Sequence, residues 1–310
     1  RLIFTACHPG LSTVSQIALT LRLIAGLSTE EIARAFLVPA ATVSRRILRA
    51  KKTLAEAGVP FEVPTGAELA PRLTAVLSVV YLIFNEGYSA TSGDRWVRRE
   101  LCEDALRLSR ILAGLAPHEP EVLGLMALLE IQASRLRARV GPSGDPVLLA
   151  DQDRGRWDYV LIGRGLAALD RVRGLGGEDG PYALQAAIAA CHARARSAGE
   201  TDWNEIARLY ERLAAVVPSP VVELNRAVAV GMAAGPQAGL DLADGLRAEP
   251  ALKDYHLLPG VRADLLARLG RLEEASDQYR EAASKTQNAS ERQLLLLRAE
   301  NPGQAGLRAR

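Results

Sequence analysis

Two runs of this sequence bring together side chains able to do chemistry. The first, "AATVSRRILRAKK", carries five bases, Arg45, Arg46, Arg49, Lys51 and Lys52, with no acid among them. At about 100° per residue, Val43, Ile47, Ala50 and Leu54 fall in one narrow arc that must face a core. Opposite them stand Ala41, Thr42, Arg45, Arg49 and Lys52, flanked by Ser44, Arg46 and Lys51. Short hydroxyl and methyl groups near a helix N-terminus suit the edges of bases, and arginines further along can hold guanine or phosphate bidentately. A basic face can also be merely solvated, so the pattern needs a structural context before it reads as a nucleic-acid surface.

The second run is "DQDRGRWD", in which Asp151, Asp153, Arg154, Trp157 and Asp158 gather acids, a cation and an aromatic ring at a loop-to-helix junction. We expect these five to serve an intramolecular interaction, ion-pairing and packing that lock domains together. Asp151 and Asp153 could instead be a metal-binding or catalytic pair, but no histidine stands near them in sequence. Cys7-His8 and Cys191-His192 could in principle supply four ligands to zinc. Closed zinc sites usually space paired ligands two to four residues apart, so buried thiols beside polar histidines are the plainer reading. Neither a metal nor a cofactor is expected. The sequence holds no P-loop, G-x-S-x-G, H-E-x-x-H or dinucleotide fingerprint, which argues against an enzyme.

The totals bound what these runs can mean. A chain of 310 residues that is 48 % apolar and 24 % charged can bury a substantial core, and its length favours about two domains. The net charge is only +2, so nucleic-acid affinity must come from a local patch and not a global field. Three cysteines without C-x-x-C spacing make neither a disulfide framework nor a zinc ribbon. No uncharged apolar run approaches the ~18 to 20 residues that cross a bilayer, and no signal peptide opens the text, so a cytoplasmic protein without membrane partners is expected. The sequence begins at Arg1 in helical-looking text, from which we expect that something precedes it in the natural protein.

The elements that must position these residues are helices. Alanine and leucine recur at three and four, while alternating β-branched runs are absent, so the fold class is all-α. Helices are expected over 12–25, 29–36, 39–57, 68–86, 95–115, 119–140, 156–173 and 181–196. The break "GVPFEVPTG" marks the best domain boundary, and Gly141, Pro142, Gly144 and Pro146 predict a loop over 141–153. In "NEGY", Gly87 is expected to cap a helix. Ser28 and Glu31 have capping-box spacing, Leu37 and Val38 would make a turn, and Pro39 fits the first position of the next helix. This is helix-turn-helix grammar, with the basic helix second. Further on, "WNEIARLY" (Trp203, Ile206, Ala207, Tyr210) and "ADLLARLGRLEEASDQYREAA" follow the tetratricopeptide (TPR) pattern, in which Leu266, Leu269 and Gly270 close one helix and Ala275, Tyr279 and Ala282 pace the next. "LNRAVAVGMAAGPQAGLDLADGL" echoes it roughly 35 residues upstream, near the usual repeat period.

The stretch "LTLRLIAGLSTEEIARAFLVPAATVSRRILRAKKTL" resembles region 4 of extracytoplasmic-function (ECF) sigma factors of the sigma-70 family. Together with "CHPGLS", "FEVP", "YLIFNEGYSATSGD", "DQDRGRWD", "GPYALQAAIAACHA" and "SPVVELNRAVAV", it resembles the ECF subgroup with a long TPR-like C-terminal extension, often called ECF42. The resemblance implies a promoter-specificity subunit of bacterial RNA polymerase. Region 4 would read the −35 element with Thr42, Ser44, Arg45, Arg46 and Arg49, hold phosphates with Lys51 and Lys52, and dock on the β-subunit flap of core RNA polymerase partly through the helix over 12–25. The family's region 2 has no counterpart here, so the chain as written is not expected to initiate transcription alone. The division implied is region 4 over 1–58, a linker over 59–66, a helical extension over 67–200 and TPR-like repeats over 201–310. The extension would be regulatory and could hold a protein or peptide partner. The competing expectation is a one-component helix-turn-helix regulator whose helical domain binds a ligand or peptide, and which would dimerise on a palindrome.

Overall fold

Alanine and leucine at helical spacing fold here into fifteen α-helices among the described residues, and the only named strands there are two residues long. The computed structural model describes residues 1–36, 38–142 and 144–303. The expected all-α class is therefore the observed one. By packing, the chain forms two compact units: Arg1–Ser89 with Arg98–Ala116, and Ala90–Val97 with Pro117–Arg310. These divisions fall elsewhere than the 59–66 break, because the apolar helix over Leu69–Tyr88 that follows the break packs on helices before it.

In the first unit α1 (Leu2–Ala6), α2 (Thr13–Thr20), α3 (Thr29–Phe36) and α4 (Ala40–Glu56) precede the two long helices α5 (Leu69–Tyr88) and α6 (Arg99–Leu115). A π-helical turn over Leu21–Ala25 continues α2, and Gly26 ends it at φ 81°, a conformation that favours glycine. Helix α5 has 20 residues and an apolar window of mean hydropathy 1.3, long and apolar enough by composition to cross a membrane. Its Val76, Val79, Val80, Ile83 and Phe84 are buried, however, and it packs along α6. It is a core helix of this unit. Both α1 and α2 lie on α5, where Arg72 Nη2 donates to the Phe4 carbonyl at 2.9 Å.

Gly87 departs from its expected role. The helix runs on to Tyr88, and Ser89 caps it. Glycine stands at 87 because a Cβ there would lie 2.7 Å from the Cys102 backbone nitrogen of α6. The Glu86 carboxylate of the same motif takes Arg98 Nη1 at 2.5 Å, a pair almost wholly withdrawn from water.

In the second unit the helices are α7 (Pro120–Ala133), α8 (Tyr159–Gly174), α9 (Pro181–Arg194), α10 (Trp203–Val216), α11 (Pro220–Ala233), α12 (Pro236–Gly245), α13 (Leu257–Arg268), α14 (Leu272–Lys285) and α15 (Ala289–Glu300). From α9 to α15 each helix packs on the next. Close approach is made possible by small residues: a Cβ on Gly239 of α12 would sit 2.6 Å from the Ala227 carbonyl oxygen of α11. Gly270, at φ 76°, lets Arg271 N donate to the Leu266 carbonyl at 3.0 Å and closes α13. Ala275, Tyr279 and Ala282 are fully buried, as their repeat-like spacing predicts. Strand β1 (Ser92–Gly93) pairs parallel with β2 (Gln287–Asn288).

Two expected helices lose four or more residues at one end. Helix α7 stops at Ala133, not at 140, since Ser134 Oγ returns to the Ile131 carbonyl (2.6 Å) and the Ser134 carbonyl accepts Asp158 N (2.9 Å). The turns that follow bury Ala138 against Trp157. Helix α6 starts at Arg99, not 95, because the Arg95 carbonyl accepts Asn288 Nδ2 (3.0 Å) and the Trp96 carbonyl accepts Ala90 N (3.1 Å).

Candidate nucleic-acid interface

Helix α3 begins as its sequence requires. Glu31 N donates to Ser28 Oγ at 3.1 Å, and Ser28 N donates to Glu31 Oε2 at 2.7 Å, a complete capping box. Of the expected turn, Leu37 lies outside the described residues. Pro39 stands one place earlier than expected, as the N-cap of α4 at φ −58° and ψ 139°, and its carbonyl accepts Thr42 N at 2.8 Å.

Val43, Ile47 and Ala50 are buried, and Leu54 is half-buried near the C-terminal end of the same seam. This fixes the rotation of α4. Ala41, Ser44, Arg45, Arg49, Lys51 and Lys52 are exposed together, whereas Thr42 and Arg46 are half-buried. Arg46 lies only about 60° from the buried seam, so its stem is partly covered. Lys52 makes a loose surface pair with Glu56 at 3.6 Å, and Arg45 Nε donates back to the Ala41 carbonyl at 3.3 Å. Among the described residues no carboxylate pairs with Arg45, Arg46, Arg49 or Lys51. The face therefore offers cationic donors whose natural acceptors are phosphates and the guanine edge. Leu48 stands in the middle of this face at 70 % exposure. Its apolar tip suits a thymine methyl group.

The second run of chemistry-bearing residues lies wholly in the second unit. Asp153 Oδ1 accepts Gly155 N (2.9 Å), and Asp158 Oδ1 caps α8 by accepting Val160 N (3.0 Å) and Leu161 N (3.2 Å). Trp157 is buried, with the Arg154 guanidinium 4.6 Å and that of Arg135 5.8 Å from its ring centre. Arg154 Nη1 also donates to the carbonyls of His192 (2.5 Å) and Ala195 (2.7 Å), which ties the loop to the end of α9. Asp151 is exposed and, with Arg154, lines a cleft of about 350 Å3. The same cleft gathers Trp203 and Tyr210, which the repeat pattern singled out as packing residues, His192, which the sequence offered only as a zinc ligand, and Asn225, Arg268 and Arg298, which sequence reading missed. No spacing in the text connects His192, Asn225, Arg268 and Arg298; only the stacking of α9, α11, α13 and α15 does.

The cysteine-histidine pairs fall in different units. Cys7 is buried with its sulfur 3.3 Å from Thr20 Oγ1, and burial pushes its thiol up to about 11. Cys191 is half-buried, and burial pushes it up to about 11 as well. Both are thiols, not thiolates, near neutrality.

Comparison with known proteins adds the following. Residues 1–54 match sigma-70 region 4, and residues 72–173 match a family of unknown function (DUF6596). An uncharacterized protein of Rhizobium meliloti (strain 1021) is 48 % identical over 291 residues, covering 94 % of this chain and 68 % of the relative. No solved structure matches significantly.

Proposed function

Since the chain belongs to the same family as the Rhizobium meliloti protein and carries a sigma-70 region 4 domain, we propose that it is an ECF-type sigma factor of the subgroup with a TPR-like C-terminal extension. Sigma-70 region 4 in general binds the RNA polymerase core and −35 DNA. Here α4 would lie in the major groove, with Thr42, Ser44, Arg45 and Arg49 toward base edges and Lys51 and Lys52 toward phosphates. Arg46 would reach the backbone from the flank. The helix continuous over α2 and the Leu21–Ala25 turn would form part of the surface for the β-subunit flap. The stacked helices α10–α15 would act as the regulatory part and offer a surface to a protein or peptide partner. The protein would work in the cytoplasm and catalyse no reaction.

The observation that carries this reading is the row of cations on the second helix of a capped helix-turn-helix, of which Arg45, Arg49 and Lys51 are exposed and pair with no carboxylate among the described residues. The test uses the full chain with purified core RNA polymerase and with a −35 promoter duplex. Co-purification with the core, and duplex binding that weakens steeply with salt, are expected. A chain that ignores the core yet dimerises on palindromic DNA would make it a one-component regulator, the reading that the cleft of the second unit favours.

A further inference from the structure

The cleft in the second unit is built as a ligand site, and nothing in the promoter reading uses it. Its volume of about 350 Å3 lies in the range of sites that enclose small molecules, roughly 300–1,000 Å3. Three arginines line it against two aspartates. Arg298 is matched, with Nη1 2.7 Å from Asp264 Oδ1 and its guanidinium 5.6 Å from the Tyr279 ring centre. The other two are not. Arg268 donates to the Met232 sulfur, a weak acceptor, and Arg154 donates to backbone carbonyls. Among the described residues no carboxylate pairs with either, although both are half-buried.

Glu200 acts on Arg154 only through space and not as an ion-pair partner, and a half-buried guanidinium without a paired carboxylate favours a bound anion, because a charge-assisted bidentate contact replaces the water it has lost. His192 adds no charge of its own to the cleft, as burial, Arg135 and Arg154 hold its imidazole down to about 3. The cleft also supplies a place for an apolar body. The Trp203 ring stands edge-on to His192 at 5.2 Å and 78°, with Tyr210 on the same helix and Val228 on the next. Asn225, on α11, is exposed and has no hydrogen-bonding partner among the described residues.

We propose that this cleft binds a small organic anion with an aromatic body, the acid group on Arg268 and Arg154, the ring against Trp203 and Tyr210, and a polar substituent on Asn225. The acid group is a carboxylate or a phosphate monoester. Every residue involved lies in the second unit, so the proposal stands whether or not the first unit reads promoters.

The test is a titration of the full chain, followed by tryptophan fluorescence, with phenylacetate and phenyl phosphate as the two acid sources and phenethylamine as a cation of the same shape. Saturable binding of at least one anion and none of the amine is expected, and the tighter anion identifies the acid group. In Arg268→Gln the affinity should fall about tenfold with circular dichroism unchanged, the loss of one charge-assisted contact. Should that variant fail to fold, Val228→Phe, which fills the cleft, has to abolish binding. Failure of both anions to bind saturably, equal binding of the amine, or affinity unchanged in the folded variant would overturn the proposal.

Discussion

Arg46 and Arg49 are three places apart on α4, yet water reaches them differently. Arg49 is exposed, so Arg49→Ala should leave stability within about 0.5 kcal/mol of the parent and weaken duplex binding uniformly. Anisotropy titrations across salt should show the log-log slope shallower by about one. Arg46→Ala removes a partly covered stem as well as a charge, so a lower melting temperature should accompany its loss of affinity. Both residues were legible as members of one basic arc; their difference in burial was not, because the wheel gives direction and not the height of the neighbouring helix. His192 lends itself to a separate prediction. Its ring is held neutral, at about 3 against an ordinary 6.5, by burial first and then by Arg135 and Arg154. An unfolded chain takes up that proton as pH falls through 6.5, so the stabilising contribution is present above 6.5 and is lost progressively toward about 3. Urea midpoints between pH 6.5 and 4 should therefore fall less in His192→Gln than in the parent; parallel pH profiles would refute the assignment.

The capping box, the buried α4 seam and the paced burial of Ala275, Tyr279 and Ala282 follow from local spacing, and all were readable at the level of elements. What escaped reading was set by contacts distant in sequence. Gly87 looked like a stop and is a point of close approach, since only the position of α6 reveals that a side chain would meet the Cys102 backbone. The helix expected to Val140 ended at Ala133 because Trp157, 24 places later, needed a partner in the turn. Gly239 sets the corresponding prediction. A methyl group there would press on the Ala227 carbonyl oxygen at 2.6 Å and on the Gly231 Cα at 2.7 Å, both backbone atoms that cannot rotate away. Gly239→Ala should cost about 1–3 kcal/mol through overpacking, despite alanine's better helix propensity. Chemical denaturation checks the sign: a stabilised variant would mean that α11 and α12 can part freely.

For the molecule as a whole, the Pro- and Gly-rich break at 58–66 is the obvious boundary in the text and is not where the packing divides. Composition shows where a chain can be flexible, whereas a unit ends where its apolar faces are all covered, and α5, beyond the break, covers part of both α1 and α2. The match to the Rhizobium meliloti protein spans 94 % of the chain and so runs through both units. A fragment ending at Val63 keeps the whole basic helix but strips α1 and α2 of α5, together with the Arg72 donor to the Phe4 carbonyl. Such a fragment should melt broadly, bind a hydrophobic dye and hold promoter duplex more weakly than the full chain, although none of the residues proposed to face DNA has been removed. Extending it to Ala116 restores α5 and α6 and should sharpen the transition. If the fragment ending at Val63 melts as cooperatively as the longer one, the helix-turn-helix is self-sufficient and α5 belongs to the extension after all.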